Sequence, residues 1–248
     1  MKQSLLYGIH TVTEALRSGQ QIEKIWVSKT SQNERIQSLK TLAEQKKVPI
    51  QFVPIEKINT LTTTGNHQGV IAQVSEIIYQ PLEEILIQIQ EKGETPLLLL
   101  LDGITDVRNI GAIVRTAECM GANAVILPTS GSASLNADAV KVSAGALMHL
   151  PICRENHTLD AIYLLQSYGI QTVACTEKAQ ETLFSEDLTG PVCLIFGSEE
   201  KGISQSVLKI ADKKIKIPMK GKIASLNVSV SVGMITSEVI RQRGNLEG

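Results

Sequence analysis

Apolar and polar positions follow two periods along this chain. Runs that are apolar throughout or at alternate positions, at 24–28, 48–53, 69–74, 97–101, 124–127, 171–176, 192–196 and 214–217, predict strands. Between them apolar residues recur every three or four positions. Ile36, Leu39 and Ala43 predict a helix between Ser31 and Lys46, and Leu82, Ile85, Leu86 and Ile89 predict a second that ends by Gly93 and Pro96. Ile110, Ile113, Val114 and Ala117 mark the inward face of a third over 109–121, and further helices are expected over 137–147, 162–167 and 228–243. The Thr-rich stretch 59–66, which ends Gly65-Asn66, reads as a loop. Leu97–Leu101 is apolar without alternation, the pattern of a parallel strand covered on both faces. No apolar run is longer than these five residues, far short of the roughly 20 that a membrane-spanning helix needs.

This alternation predicts an α/β protein in two parts. Residues 1–75 form a small α/β unit and 76–95 a linker carrying the amphipathic helix. Residues 96–248 form a mostly parallel sheet with helices on both faces. Ligands in such sheets sit outside the carboxyl ends of the strands, so the loops there carry the candidate chemistry. A length of 248 residues fits two modest domains, and 43% hydrophobic against 20% charged residues excludes disorder as a description of the chain.

Charge sharpens the division. Residues 1–75 hold nine basic side chains against five acidic ones, while the whole chain has net charge −1, so the remaining 173 residues carry −5. The first part therefore suits a phosphate-bearing partner better than the second. Cys119, Cys153, Cys175 and Cys193 form no CxxC pair, so no zinc site is expected. Cys119, Cys175 and Cys193 read as small core hydrophobes in a reducing, cytoplasmic setting, and Met1–Ser4 leads into Tyr7-Gly8 with no secretory leader expected.

Three loops hold unusual polar residues: 102–117 with Asn109 and Arg115, 196–203 with Gly197, Glu199 and Glu200, and 217–231 with Ser225 and Asn227. Taken singly, each has an ordinary explanation. Asn109, Ser225 and Asn227 stand near helix starts and could simply cap them, a carboxylate pair suits a helix start, and Arg115 could be a solvated surface residue. The chain contains no GK[ST] phosphate loop and no GxGxxG, and none of His10, His67, His149 or His157 lies in a nucleophile-elbow context.

Taken together they form a signature. Asn-x-Gly-x-x-x-Arg-x-Ala from Asn109, Gly-x-Glu-x-x-Gly-Ile from Gly197, and Ile-Pro-Met-x-Gly-x-x-x-Ser-Leu-Asn-Val-Ser-Val from Ile217 resemble the three motifs of the SpoU (TrmH) family of RNA ribose 2′-O-methyltransferases. Tyr7-Gly8-Ile9-His10 and His67-Gln68-Gly69-Val70 resemble the family's L30e-like substrate-binding domain. The two-domain form and Val239–Arg243 are most similar to members acting on a guanosine of 23S rRNA. A tRNA-directed member, or a non-catalytic RNA-binding assembly factor, is the alternative.

The resemblance implies a SPOUT domain with a C-terminal trefoil knot, S-adenosylmethionine as cofactor and a homodimer formed around the knot. It also implies that Gly197, Ile217 and Leu226 line the cofactor pocket and that Asn109, Arg115, Glu199, Ser225 and Asn227 are the catalytic positions, with Arg115 reaching the partner's site. Val107 and Glu200 depart from the family pattern, which usually has Pro and Gly there. Val228, Val232, Ile235 and Val239 give the last helix an apolar stripe, which periodicity assigns to the core and the resemblance assigns to the dimer.

Overall fold

Two sheets carry the alternation seen in the sequence. The computed structural model describes residues 5–31, 34–62, 67–74, 77–129, 131–132, 135, 137–223 and 225–244. Two compact units divide between Ile78 and Tyr79.

The first unit runs β1 (Leu5–Tyr7), α1 (Ile9–Arg17), β2 (Ile22–Ser28), α2 (Glu34–Gln45), β3 (Ile50–Val53), α3 (Ile55–Leu61) and β4 (Val70–Val74). Its sheet has the order β1-β4-β2-β3, with β2 and β3 parallel and β4 antiparallel to both of its neighbours. Side chains alternate between the two faces of a strand. Ile25, Val27, Val70 and Ala72 accordingly join Val12, Leu16, Leu39 and Ala43 of α1 and α2, whereas Trp26 and Ile71 join Ile58 of α3. The loop predicted over 59–66 is therefore helix as far as Leu61, because burying Ile58 outweighs the weak helix propensity of its Thr-rich neighbours. Residues 63–66 lie outside the described residues.

The second unit runs β5 (Tyr79–Gln80), α4 (Leu82–Lys92), β6 (Leu97–Asp102), α5 (Val107–Cys119), β7 (Ala124–Pro128), α6 (Ala137–Val142), β8 (Ile152–Glu155), α7 (Thr158–Ser167), β9 (Gln171–Cys175), β10 (Glu181–Thr182), β11 (Val192–Gly197), α8 (Gln205–Ile210), β12 (Lys213–Lys216) and α9 (Val228–Arg243). All eight strands are parallel, in the order β10-β12-β9-β11-β6-β7-β8-β5. Leu98, Leu100, Ile126 and Ile195 face α4, α7 and α8, while α5 and α9 pack together on the opposite side. The unbroken Leu97–Leu101 run thus meets apolar neighbours on both faces, and each of its leucines is at most 1% exposed. Burying one such side chain contributes about 1.5–3 kcal/mol.

The structure revises several boundaries. The 76–95 stretch is not a free linker: β5 pairs with β8, and Leu82, Ile85, Leu86 and Ile89 of α4 are buried in the second unit's core. The helix expected over 137–147 stops at Val142 and a 3-10 turn follows at Ala146–Met148. Cys119 is exposed at the end of α5 rather than in the core and Cys175 is half-buried, while Cys193 is buried as expected. The α9 stripe of Val228, Val232, Ile235 and Val239 is buried within this chain, as periodicity alone assigned it. Among the described residues no helix is long and apolar enough to cross a membrane, and no cluster of metal-ligating side chains occurs.

Candidate functional site

Strands β12, β9, β11 and β6 are consecutive in the larger sheet and all point the same way, so the loops at their carboxyl ends converge. A cavity of about 260 Å³ opens there. Gly197, Ile217 and Leu226, the three residues expected at a cofactor pocket, all line it, together with Glu199 and Ser225.

The β11 loop owes its shape to Gly197. A Cβ at this position would collide with the backbone of Gly202 and Ile203, so only glycine lets the chain fold back on itself so closely. Gly202 N–H donates to Ser198 O at 2.8 Å and Lys201 N–H to the Ser198 hydroxyl at 3.2 Å, which closes a tight turn with Glu199 at its tip. Asp102, at the end of β6, accepts from Ser204 N–H at 2.7 Å and ties this turn to the neighbouring loop.

Asn109, Glu199 and Asn227 come from three different motifs and meet in one hydrogen-bonded triangle. Asn227 Nδ2 donates to Glu199 Oε1 at 2.6 Å and to Asn109 Oδ1 at 3.1 Å, and Asn109 Nδ2 donates to Glu199 Oε1 at 3.2 Å. The orientation of Asn227 is dictated locally. As the N-cap of α9 it accepts from Ser229 N–H at 2.9 Å through Oδ1, and from the Ser229 hydroxyl at 2.6 Å. Its Oδ1 being committed to the cap, Nδ2 must face Glu199. Both amides then donate to one oxygen of Glu199, an arrangement that suits the ionised carboxylate. Asn109 is free for this role because the cap of α5 is Asp106, which accepts from Arg108 N–H at 2.8 Å. The capping explanation therefore fails for Asn109, and for Asn227 it holds alongside the site contact.

Arg115 and Ser225 do not join the triangle. Ser225 is exposed on the cavity wall. Arg115 is exposed on α5 and absent from the cavity. Six helical residues separate it from Asn109, roughly 9 Å along the axis and roughly a third of a turn around it.

The remaining wall mixes apolar and charged groups. Ile203, Met219 and Ile235 are apolar, and Glu177, Glu199 and Glu200 stand against Lys178 and Lys201, a balance of −1. Burial raises the Cys175 and Cys193 thiols far above their ordinary range, so Cys175 contributes a neutral, apolar surface. The Thr176–Lys178 loop was not foreseen as part of the site. Its one signal was position, just past the carboxyl end of a predicted strand.

An all-parallel sheet with a cavity walled by loops at its carboxyl edge, preceded by a small mixed α/β unit, defines a two-unit α/β protein with room for a small molecule at the edge of its larger sheet. Residues 96–237 match the SpoU rRNA Methylase family and residues 5–80 match the domain described as RNA 2′-O ribose methyltransferase substrate binding. The chain belongs to the SpoU rRNA methylase family. It is 37% identical over 241 residues to the 23S rRNA (guanosine-2′-O-)-methyltransferase RlmB of Yersinia pestis, covering 97% of this chain and 98% of that protein. Against the enzyme of the same name from Pseudomonas aeruginosa it is 36% identical over 244 residues, covering 98% of each chain. Its fold is similar to the crystal structure of the SpoU methyltransferase AviRb from Streptomyces viridochromogenes in complex with the cofactor AdoMet, with a TM-score of 0.63 at 24% identity over 98% of this chain and 92% of that one.

Proposed function

We propose that this chain transfers a methyl group from S-adenosylmethionine to the 2′-hydroxyl of a guanosine ribose in 23S rRNA. The observation that carries this reading is the triangle of Asn109, Glu199 and Asn227 beside a cavity walled by Gly197, Ile217 and Leu226. The cofactor supplies a methyl carbon on a positively charged sulfonium. The wall fits such a group: its charged side chains sum to −1, which suits a cation bearing a nucleoside and opposes a polyphosphate. The close fold at Gly197 makes a backbone cradle, and Ile203, Ile217, Met219 and Leu226 offer apolar contact. The rRNA target rests on the near full-length likeness to the RlmB proteins and on the substrate-binding match over 5–80.

Methyl displacement requires the ribose oxygen to lie in line with the transferred carbon, and positioning of this kind is worth about 7–11 kcal/mol in the best systems. Asn109, Glu199 and Asn227 hold one wall of that geometry, and Ser225 hydrogen-bonds the incoming ribose or phosphate. Arg115 orients the adjacent phosphate through its planar fork and stabilises the developing oxyanion, since a guanidinium stays protonated at neutral pH. Its exposed place on α5, outside its own cavity, fits a homodimer in which it serves the partner's site. Exposed Val230 and Met234, one turn apart on α9, supply an apolar seam for that dimer. The return of the chain from β12 to pack α9 on α5 is read as the closure of a trefoil knot, and the cytoplasm as the place of action.

The test has two parts. Calorimetry with S-adenosylmethionine should show binding to the protein alone. A map of 2′-O-methylated positions should lose one 23S rRNA guanosine when the protein is absent from its cell. No cofactor binding would sink the reading, and loss of a tRNA site instead would replace the rRNA target.

A further inference from the structure

The first unit carries a strained turn that the proposed chemistry does not use. Val70 N–H donates to His67 O at 2.9 Å, closing a four-residue turn whose two central residues, Gln68 and Gly69, have φ of 50° and 74°. Two successive positive φ angles are the mark of a type I′ turn, whose first central position favours asparagine, aspartate or glycine. Gln68 gains no such relief, and its backbone is held in the strained left-handed region. A shorter amide or a glycine would make the same turn with less strain.

The surroundings fix this turn firmly. Gly69 N–H donates to His67 Nδ1 at 3.0 Å, so the neutral ring carries its proton on Nε2 and donates it to Asn59 Oδ1 at 2.9 Å. Ser28 N–H donates to Gly69 O at 2.8 Å. At φ 74° Gly69 holds a conformation that side chains rarely adopt, so glycine is favoured at the second central position. Gly69 N–H and C=O and the His67 ring are all engaged, whereas the Gln68 carboxamide is exposed and makes no hydrogen bond among the described residues. Three exposed cations stand at the same end of the sheet: Lys29 just after β2, Arg35 in the first turn of α2 and Lys57 in the first turn of α3. None of the three forms an ion pair among the described residues.

We propose that the His67-Gln68-Gly69 turn is a base-reading element: it presents the Gln68 carboxamide to one unpaired nucleobase of the RNA while Lys29, Arg35 and Lys57 hold the flanking phosphates. A carboxamide sets one donor beside one acceptor, the complement of a base edge such as that of adenine. A single-stranded base exposes that edge, whereas a paired RNA helix hides it in a groove too narrow for side chains. The length of glutamine, against the asparagine that the turn would favour, supplies the reach. This inference rests on RNA being the substrate.

The full-length protein should be titrated by fluorescence anisotropy against a labelled stem-loop RNA with adenosines in its loop, and against the same stem as a closed duplex. Wild type should prefer the stem-loop. Gln68→Asn and Gln68→Gly should unfold at the same temperature as wild type or higher, because both relieve the turn. Both should nevertheless bind the stem-loop about tenfold more weakly, with the salt dependence of binding unchanged, as expected for a lost base contact. Lys29→Gln should instead flatten the salt dependence by about one unit. Stem-loop affinity within twofold of wild type in either Gln68 variant would overturn the proposal, and so would a lowered unfolding temperature, which would make the glutamine structural. Absence of any salt-dependent RNA binding by wild type would overturn it together with the RNA substrate, whereas normal wild-type binding with unaffected variants would sink the base-reading turn alone.

Discussion

Asn227 shows how one side chain can serve two levels of structure. Its Oδ1 caps α9 and its Nδ2 completes the triangle with Asn109 and Glu199. Substitution can separate the two duties. Asn227→Ala removes both, and is expected to lower stability by about 1 kcal/mol and to abolish most of the methyl transfer. Asn227→Asp keeps an acceptor for Ser229 N–H but turns a second carboxylate toward Glu199, where like charges repel. It should fold with nearly wild-type stability in thermal unfolding and still transfer methyl at least about 10²-fold more slowly in single turnover. Arg115 invites the complementary experiment. If it were a surface cation, Arg115→Lys would change stability by less than about 0.5 kcal/mol and leave the rate alone. If it acts through a planar fork, as proposed, a point charge cannot replace it. The lysine variant should bind S-adenosylmethionine normally by calorimetry and react roughly 10²-fold more slowly at saturating RNA. A rate within about threefold of wild type would return Arg115 to the solvated surface.

At the scale of elements, periodicity identified the buried strands well because solvent exclusion acts on every residue of such a strand, as in Leu97–Leu101 and Val192–Gly197. It failed where a few contacts decide. β1, β5 and β10 are two or three residues long and α8 is six, too short for a period to repeat, and α3 buries Ile58 fully with only Ile55 and Leu61 packed beside it. The three polar loops were legible as a signature, but their meeting was not. Asn109 and Glu199 lie 90 positions apart in sequence, and only the strand order brings their loops side by side. The long α9 is held by a network that spacing does not reveal. Glu238 accepts from Arg241 at 2.7 Å through both oxygens and from Gln242 at 2.9 Å, and Gln242 also engages Glu186 O and Leu188 N–H. The Arg241 and Gln242 hydrogen bonds pull the Glu238 carboxyl down to about 2. A depressed carboxylate stabilises the fold above its unfolded value, about 4.3 for glutamate, and loses that contribution as pH falls toward the folded value. Wild type should therefore melt higher than Glu238→Gln at neutral pH, and the gap should shrink below about pH 4 and close near pH 2. A gap independent of pH would show that the charge of Glu238 is not what holds the helix.

The whole molecule joins two chemistries: a first unit with a surplus of positive charge and a second with the loop-walled cavity. The proposed dimer rests on the α9 surface. With Val228, Val232, Ile235 and Val239 spent on the chain's own core, Val230 and Met234 remain exposed at 49% and 42%. The proposed dimer would cover these two side chains, which lie one turn apart on α9. Light scattering at micromolar concentration should give the mass of a dimer, and Val230→Asp with Met234→Asp should give a folded monomer. If Arg115 serves the partner's site, that monomer should bind cofactor yet fail to methylate. A monomeric wild type, or an active monomeric variant, would place the entire site in one chain.

The attachment of α9 also has a consequence in time. Arg243, near the end of the chain, donates to Thr95 O, Pro96 O and Gly190 O at the starts of β6 and β11, and Asn227, at the head of the same helix, supplies the last corner of the triangle. During synthesis every strand of both sheets leaves the ribosome before this helix does. The sheet can form while translation is still under way, but the site has no third corner until α9 has followed. A chain truncated before position 227 therefore loses the third corner of the triangle and the closing helix together.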